Sequence, residues 1–141
     1  MATNVVTTNY FRQLVVTKEI NLSSDTFKVA LMDIYVQSAS VSALKQITNW
    51  SQVSAHEVSS TGYSALTLTA ANISATTSNI ICWKGSNLNW PSVTLNTYGY
   101  SIYRTSDNMV VGFVEFSTTP VIAVNGAITI QWNTNGIMNI L

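Results

Sequence analysis

The chain reads as an all-β fold, an antiparallel two-sheet sandwich of jelly-roll-like kind with a short helix near the N-terminus. Three observations predict it. Amphipathic segments crowd the last third, at Ser92–Tyr103, Met109–Phe116, Ala127–Trp132 and Ile137–Ile140. Turn signals separate them at Thr105-Ser106-Asp107-Asn108, Asn125-Gly126 and Asn133-Thr134-Asn135-Gly136, and Asn-Gly tolerates the positive φ of tight reversals. Upstream, Tyr63–Thr69 alternates Leu66 and Leu68 against Thr67 and Thr69, the period of two of a half-exposed strand. Eight or more strands with short reversals and little helix require two packed layers.

In order along the chain, residues 1–8 are small, polar and β-branched, suited to a flexible arm or an added edge strand. Over Asn9–Ile20, Asn9 caps a short helix carrying Tyr10, Phe11, Leu14 and Val15, while Leu14-Val15-Val16-Thr17 favours extension. A short helix running into a strand accommodates both. Ser23-Ser24-Asp25 is a turn, and Thr26–Tyr35 a strand apolar enough to lie near the core on both faces. Gln37–Ser51 makes a loop holding one helical turn. His56–Ser60 is a short extended piece broken at Thr61-Gly62, Ala70–Thr77 a loop or small excursion, and Asn79–Lys84 a strand. Gly85–Pro91 is a turn-rich link carrying Trp90. Pro91 and Pro120 belong at strand edges or in loops, where a missing donor costs little. With no repeat, linker or composition break, residues 1–141 form a single β-sandwich domain.

Composition narrows the function classes. Charged residues are 9% against about 25% in an average domain, so hydroxyls and amides from 18 Thr, 17 Ser and 14 Asn carry the polar surface. Four Trp, six Tyr and four Phe set the chain apart from disordered polar tracts. Six basic side chains balance six acidic ones without clustering, which argues against nucleic acid as a partner. Near-zero net charge opposes association weakly, as suits a protein that spends its life bound. No apolar run approaches the roughly 18 residues of a membrane span. Cys82, the single cysteine, sits in the apolar Ile80-Ile81-Cys82-Trp83 and reads as a buried, inert thiol. Met1-Ala2-Thr3-Asn4 has no secretory pattern, giving cytoplasmic synthesis as the expectation.

No catalytic constellation emerges. His56 and Glu57 are adjacent and point to opposite faces if extended, so they form no acid–base couple. Asp25, Asp33, Glu57, Asp107 and Glu115 fall in different segments, and Asp25 and Asp107 sit in turn sequences. No nucleophile elbow, phosphate loop or dinucleotide fingerprint is present, and neither metal nor cofactor is called for. Asn21, Asn49 and Asn72 match the glycosylation pattern in a chain rich enough in Asn, Ser and Thr to do so by chance. Trp83 and Trp132 read as core. Trp50 and Trp90, beside Asn, Ser and Pro in expected loops, are the candidate protein-interface anchors, with sugar stacking the lesser alternative.

Four segments carry a family resemblance: Thr26-Phe27-Lys28-Val29-Ala30-Leu31-Met32; Val53–Tyr63 followed by Leu66-Thr67-Leu68-Thr69; Ser101-Ile102-Tyr103-Arg104 leading to Val110–Phe116; and Gly126–Asn133 through Gly136-Ile137. Together they resemble small structural proteins of tailed bacteriophages, of the capsid decoration or cement type. The pattern departs at Cys82-Trp83-Lys84 and Asn89-Trp90-Pro91, where such proteins tend to carry an acidic step. The resemblance implies a jelly-roll-like sandwich on the outer capsid surface of the virion. There it would clamp neighbouring major capsid subunits as a dimer or trimer, with no enzymatic activity. The alternative expectation is a tail or fibre accessory protein binding glycans through Trp50 and Trp90.

Overall fold

Strand-forming and turn-forming residues alternate much as expected in the computed structural model, which describes residues 4–69, 72–75, 81–116, 120–131 and 138–139. Asn4–Thr7 (β1) leads into helix Asn9–Val16 (α1), then strand Phe27–Met32 (β2), helices Tyr35–Ser38 (α2) and Val41–Lys45 (α3), and 3-10 turns at Trp50–Gln52 and Ser54–His56. Strands follow at Leu66–Thr67 (β3), Asn72–Ala75 (β4), Ile81–Lys84 (β5), Leu88–Thr97 (β6), Gly99–Arg104 (β7), Val110–Glu115 (β8), Val121–Ile130 (β9) and Met138–Asn139 (β10). They pair antiparallel throughout, as a five-stranded sheet β1-β8-β7-β2-β3, a ribbon β6-β9 and a small sheet β10-β5-β4. The fold is an all-β sandwich with a few short helices.

The sandwich is organised by β2, β7 and β8, whose residues are buried on both faces. Phe27, Val29, Leu31, Tyr100 and Ile102 point into a large core, capped on its far side by Trp90, Val93, Leu95, Ile128 and Ile130 of the ribbon and by Trp83 of β5. The opposite face packs Ala30, Met32, Tyr103, Val110 and Phe113 under Val36 of α2, Leu44 of α3, Trp50 and Val53. Each large apolar side chain buried this way contributes roughly 1.5–3 kcal/mol. A bulge in β8 puts residues three apart on one face, Val110 with Phe113 and Val111 with Val114. Ile102 faces Gly112 and Tyr103 faces Val110, so Val111 is the extra residue and the alternation shifts by one. The strand expected over Met109–Phe116 thus forms as Val110–Glu115, whereas that expected over Thr26–Tyr35 is strand only over Phe27–Met32, and Tyr35 opens α2.

Other expectations change. The strand expected over Ser92–Tyr103 is two strands in two layers. Tyr98 bends the chain between β6 and β7, and the Thr97 hydroxyl, fully buried, lies 3.1 Å from the Met32 carbonyl and 2.9 Å from that of Gly99. A Cβ on Gly99 would stand 2.1 Å from the Val114 carbonyl oxygen, so only glycine lets the chain cross there. β6 begins at Leu88, which makes Trp90 a strand residue and puts Pro91 beside a bulge. Asn125-Gly126 is no reversal. Asn125 adopts φ 49° inside β9, where an extra residue offsets the one that β6 carries between Trp90 and Val93.

At the N-terminus, Asn4–Thr7 is an edge strand with Val6 opposite Phe113. Thr8, not Asn9, caps α1: its buried Oγ1 accepts from the Phe11 N–H at 3.1 Å and donates to the Val110 carbonyl at 2.7 Å. The helix ends in turns through Lys18, at φ 61°, rather than in a strand, because its apolar residues already face the core as Phe11 and Leu14. Gln37–Ser51 is more helical than expected, His56 closes a 3-10 turn instead of starting an extended piece, and only Leu66–Thr67 pairs within Tyr63–Thr69. The Ala70–Thr77 excursion contains β4, paired with β5. The side chain of Cys82, Trp132 and the Asn133–Gly136 turn lie outside the described residues.

Because one hydroxyl both caps α1 and satisfies a carbonyl at the β8 bulge, Thr8→Val lowers the unfolding free energy by about 1–3 kcal/mol. Urea denaturation reads this directly.

Candidate functional site

Trp50 and Trp90 do not stand at the surface. Trp90 is 2% exposed; its Nε1–H donates to the Ser64 carbonyl at 2.7 Å, and its ring lies against Tyr63 at 6.0 Å. Trp50 is 8% exposed and stacks flat on Tyr103 at 4.7 Å. Their polar neighbours in sequence belong to the outer face, whereas the indoles turn inward to close the two cores. Both are internal anchors, which corrects the expectation of exposed interface residues. Trp83 is core as expected: fully buried, edge-on to Phe27 at 4.9 Å, with its Nε1–H on the Leu22 carbonyl at 3.0 Å.

Three sets of titratable groups are each tied to a structural task. His56 stacks on Tyr35 at 4.1 Å and its Nδ1 lies 3.3 Å from Asp33 Oδ2, while Asp33 Oδ1 accepts from the Tyr35 N–H. Glu57 turns away from His56, as adjacent residues were expected to do. Its Oε2 accepts the Tyr63 hydroxyl at 2.7 Å, and that hydroxyl accepts from the Leu31 N–H. Burial first, and then the Glu57 carboxylate, push the Tyr63 phenol far above its ordinary range and hold it as a neutral donor.

The third set is a latch that sequence spacing did not suggest. Arg104, at the end of β7, meets Asp107 through Nε–Oδ1 at 3.1 Å and Nη2–Oδ2 at 2.8 Å. Its Nη1 donates to Asp25 Oδ2 and to the Glu19 carbonyl, each at 3.0 Å. Asp25 also accepts from the Asn21 N–H and Asp107 from the Met109 N–H, so both keep the turn roles expected of them. The hydrogen bonds from Arg104 hold the Asp107 carboxyl below the usual carboxylate range. Among the described residues no three His, Cys, Asp or Glu side chains gather at one point.

What remains exposed is an unusual surface. Neither ten-residue strand of the β6–β9 ribbon carries a charge. Its inner side is core; its outer side presents Asn89, Thr94 and Asn96 of β6 beside Ile122, Val124, Ala127 and Thr129 of β9. Ile122 is 63% and Val124 72% exposed, among the largest aliphatic exposures of the described residues. Thr94 and Asn125 clasp the bulge through Asn125 N–H to Thr94 Oγ1 at 2.9 Å. The Ser60–Gly62 turn seats against it: Gly62 has φ +84°, a Cβ there would fall 2.6 Å from the Ser92 carbonyl oxygen, and Thr94 N–H donates to Ser60 Oγ. A polar hollow of about 610 Å³ lies along this junction. The missing charge was legible in the sequence; the aliphatic exposure was not, because alternation does not say which face is covered.

Compared with known proteins, the chain matches no family model, no curated protein and no solved structure.

Two outcomes follow. Trp90→Ala and Trp50→Ala each cost about 3–5 kcal/mol of stability by denaturant unfolding, as buried aromatics do; surface anchors would change it by no more than about 0.5 kcal/mol. Asp107, with its folded pKa depressed, contributes stability that is complete above the ordinary carboxylate value and lost as pH falls through the depressed one. Asp107→Asn therefore lowers the melting temperature near neutral pH and narrows the gap to wild type on acidification, as calorimetry over a pH series reads.

Proposed function

We propose that this chain is a non-enzymatic virion structural protein. It binds the outside of a phage capsid shell through the β6–β9 outer face and reinforces contacts between neighbouring major capsid subunits. The observation that carries this reading is the ribbon: two long strands without a charge, exposing Ile122 and Val124 between rows of hydroxyls and amides. Desolvating such a surface costs less than desolvating a charged one, provided its amides and hydroxyls find partners, and what it binds is held with slight dependence on salt. The resemblance of the Thr26–Met32, Val53–Thr69 and Ser101–Phe116 segments to capsid decoration proteins supports the choice of partner.

Size sets how the surface would be used. Ten residues at about 3.4 Å each and two strands about 4.8 Å apart give a face of roughly 300–350 Å². A standard interface needs about 800 Å² per partner. One ribbon face is therefore part of an interface, and the proposed dimer or trimer bridging adjacent subunits makes up the rest through avidity. Binding the assembled shell and not its free subunits shifts the equilibrium toward the shell by mass action. The tail or fibre alternative rested on Trp50 and Trp90 as exposed stacking platforms for glycans, and both are buried.

Mixed with empty expanded shells of the phage that encodes it, the purified protein co-sediments and raises their disruption temperature. The Ile122→Asp/Val124→Asp variant, changed only at exposed positions, keeps its own melting temperature and loses shell affinity by about tenfold or more. Wild-type protein that neither sediments with shells nor stabilises them overturns the proposal.

A further inference from the structure

A second surface lies at the far side of the molecule's five-stranded sheet. Among the described strands β1 is outermost and has no neighbour along its outer edge. Beside it runs a cleft of about 340 Å³, walled by β1 residues Val5–Thr7 and by α2 and α3, whose exposed apolar lining is Val5 and Val41, with the buried Val36, Leu44 and Phe113 beneath. That volume is at the small end of ligand-sized clefts, about 300–1,000 Å³, room for a few side chains and not for a whole element.

The cleft is also lined by two of the chain's six basic groups, Arg12 from α1 and Lys45 from α3. Arg12 reaches back along β1, donating from Nε to Thr7 Oγ1 at 2.9 Å. Neither forms an ion pair among the described residues, where the ion pairs are those of His56 with Asp33 and of Arg104 with Asp25 and Asp107. Glu115 lines the same cleft, which leaves it a net positive charge of about one. An apolar lining, two cations and a strand edge select one kind of occupant. The edge offers backbone hydrogen bonds that only a peptide uses, and residues two apart on an extended chain share a face.

We infer that this cleft binds an extended segment of a protein partner, laid along β1, with an aliphatic side chain on the exposed Val5 and Val41 and a carboxylate two residues away toward Arg12 and Lys45. The inference deepens the binding role proposed above, rests on it for the partner's identity, and adds a salt-sensitive contact to an otherwise salt-insensitive surface.

The test uses the full chain and a labelled extended hexapeptide carrying valine at one position and aspartate two residues on, followed by fluorescence anisotropy and by amide shifts in NMR spectra. The acidic peptide binds saturably, shifts amides in Val5–Thr7 and Val41–Lys45, and weakens as salt rises. Replacing its aspartate by asparagine weakens binding about tenfold or more, as do Arg12→Glu/Lys45→Glu and the milder Arg12→Gln/Lys45→Gln, the latter guarding against loss of fold. No binding, equal binding of both peptides, or shifts confined to β6 and β9 overturn the inference. If the peptide fails while the shells still co-sediment, the cleft assignment falls and the capsid reading stands. If the shells fail while the peptide behaves as described, the cleft is supported as a site independent of that role.

Discussion

A sheet buried on both faces must be covered twice, and nearly everything in this molecule follows from that demand. β2, β7 and β8 present apolar side chains above and below, so one layer alone would leave several large residues in water, each at a cost of roughly 1.5–3 kcal/mol. The long β6–β9 ribbon, with Trp83 and α1, closes one side; two short helices and the Trp50 turn close the other. Tryptophan is used here for area. Trp83, Trp90 and Trp50 are turned inward and bury large apolar rings, and the first two direct their N–H groups to backbone carbonyls.

The same demand shapes the polar groups. Thr8, Thr97 and Ser101 are fully buried, and each hydroxyl lies within hydrogen-bond distance of a backbone carbonyl at a point where regular pairing changes: the α1 start, the β6–β7 crossing and the bulged β7–β8 pair. Such groups would be costly if left unpaired and instead fix register. Charge is spent sparingly and locally. Arg104 gathers Asp25, Asp107 and the Glu19 carbonyl, joining the turn before β2 to the turn before β8, while the tyrosine and carboxylate beside Leu31 tie the Tyr63 loop to β2.

With the large aromatics committed to the interior and no charge on either strand of the ribbon, the outer face of β6 and β9 keeps aliphatics, hydroxyls and amides. That is the link from packing to the proposed role. A surface of this kind has no charges to desolvate and little electrostatic steering, which suits the proposed role of binding in many copies. The cleft beside β1 differs in kind, since two cations and a strand edge add direction and partner choice to an otherwise indifferent exterior.

Much of the fold was legible in the chain. Alternation in Tyr63–Thr69, the doubly apolar Thr26–Tyr35 and the turn chemistry around Asp107 are local properties, so the antiparallel β class and the central strands could be read from residues alone. The turn roles of Asp25 and Asp107 were equally local. What only the tertiary structure decided depends on contacts between segments distant in sequence. Whether Asn125-Gly126 reverses the chain or bulges within a strand depends on β6 lying alongside with its own extra residue. Whether Trp50 and Trp90 face solvent depends on Tyr103 and the Ser64 carbonyl being there to receive them. The exposure of Ile122 and Val124 was likewise hidden, for periodicity shows that a strand has two faces, and burial is settled by which of them another layer happens to cover.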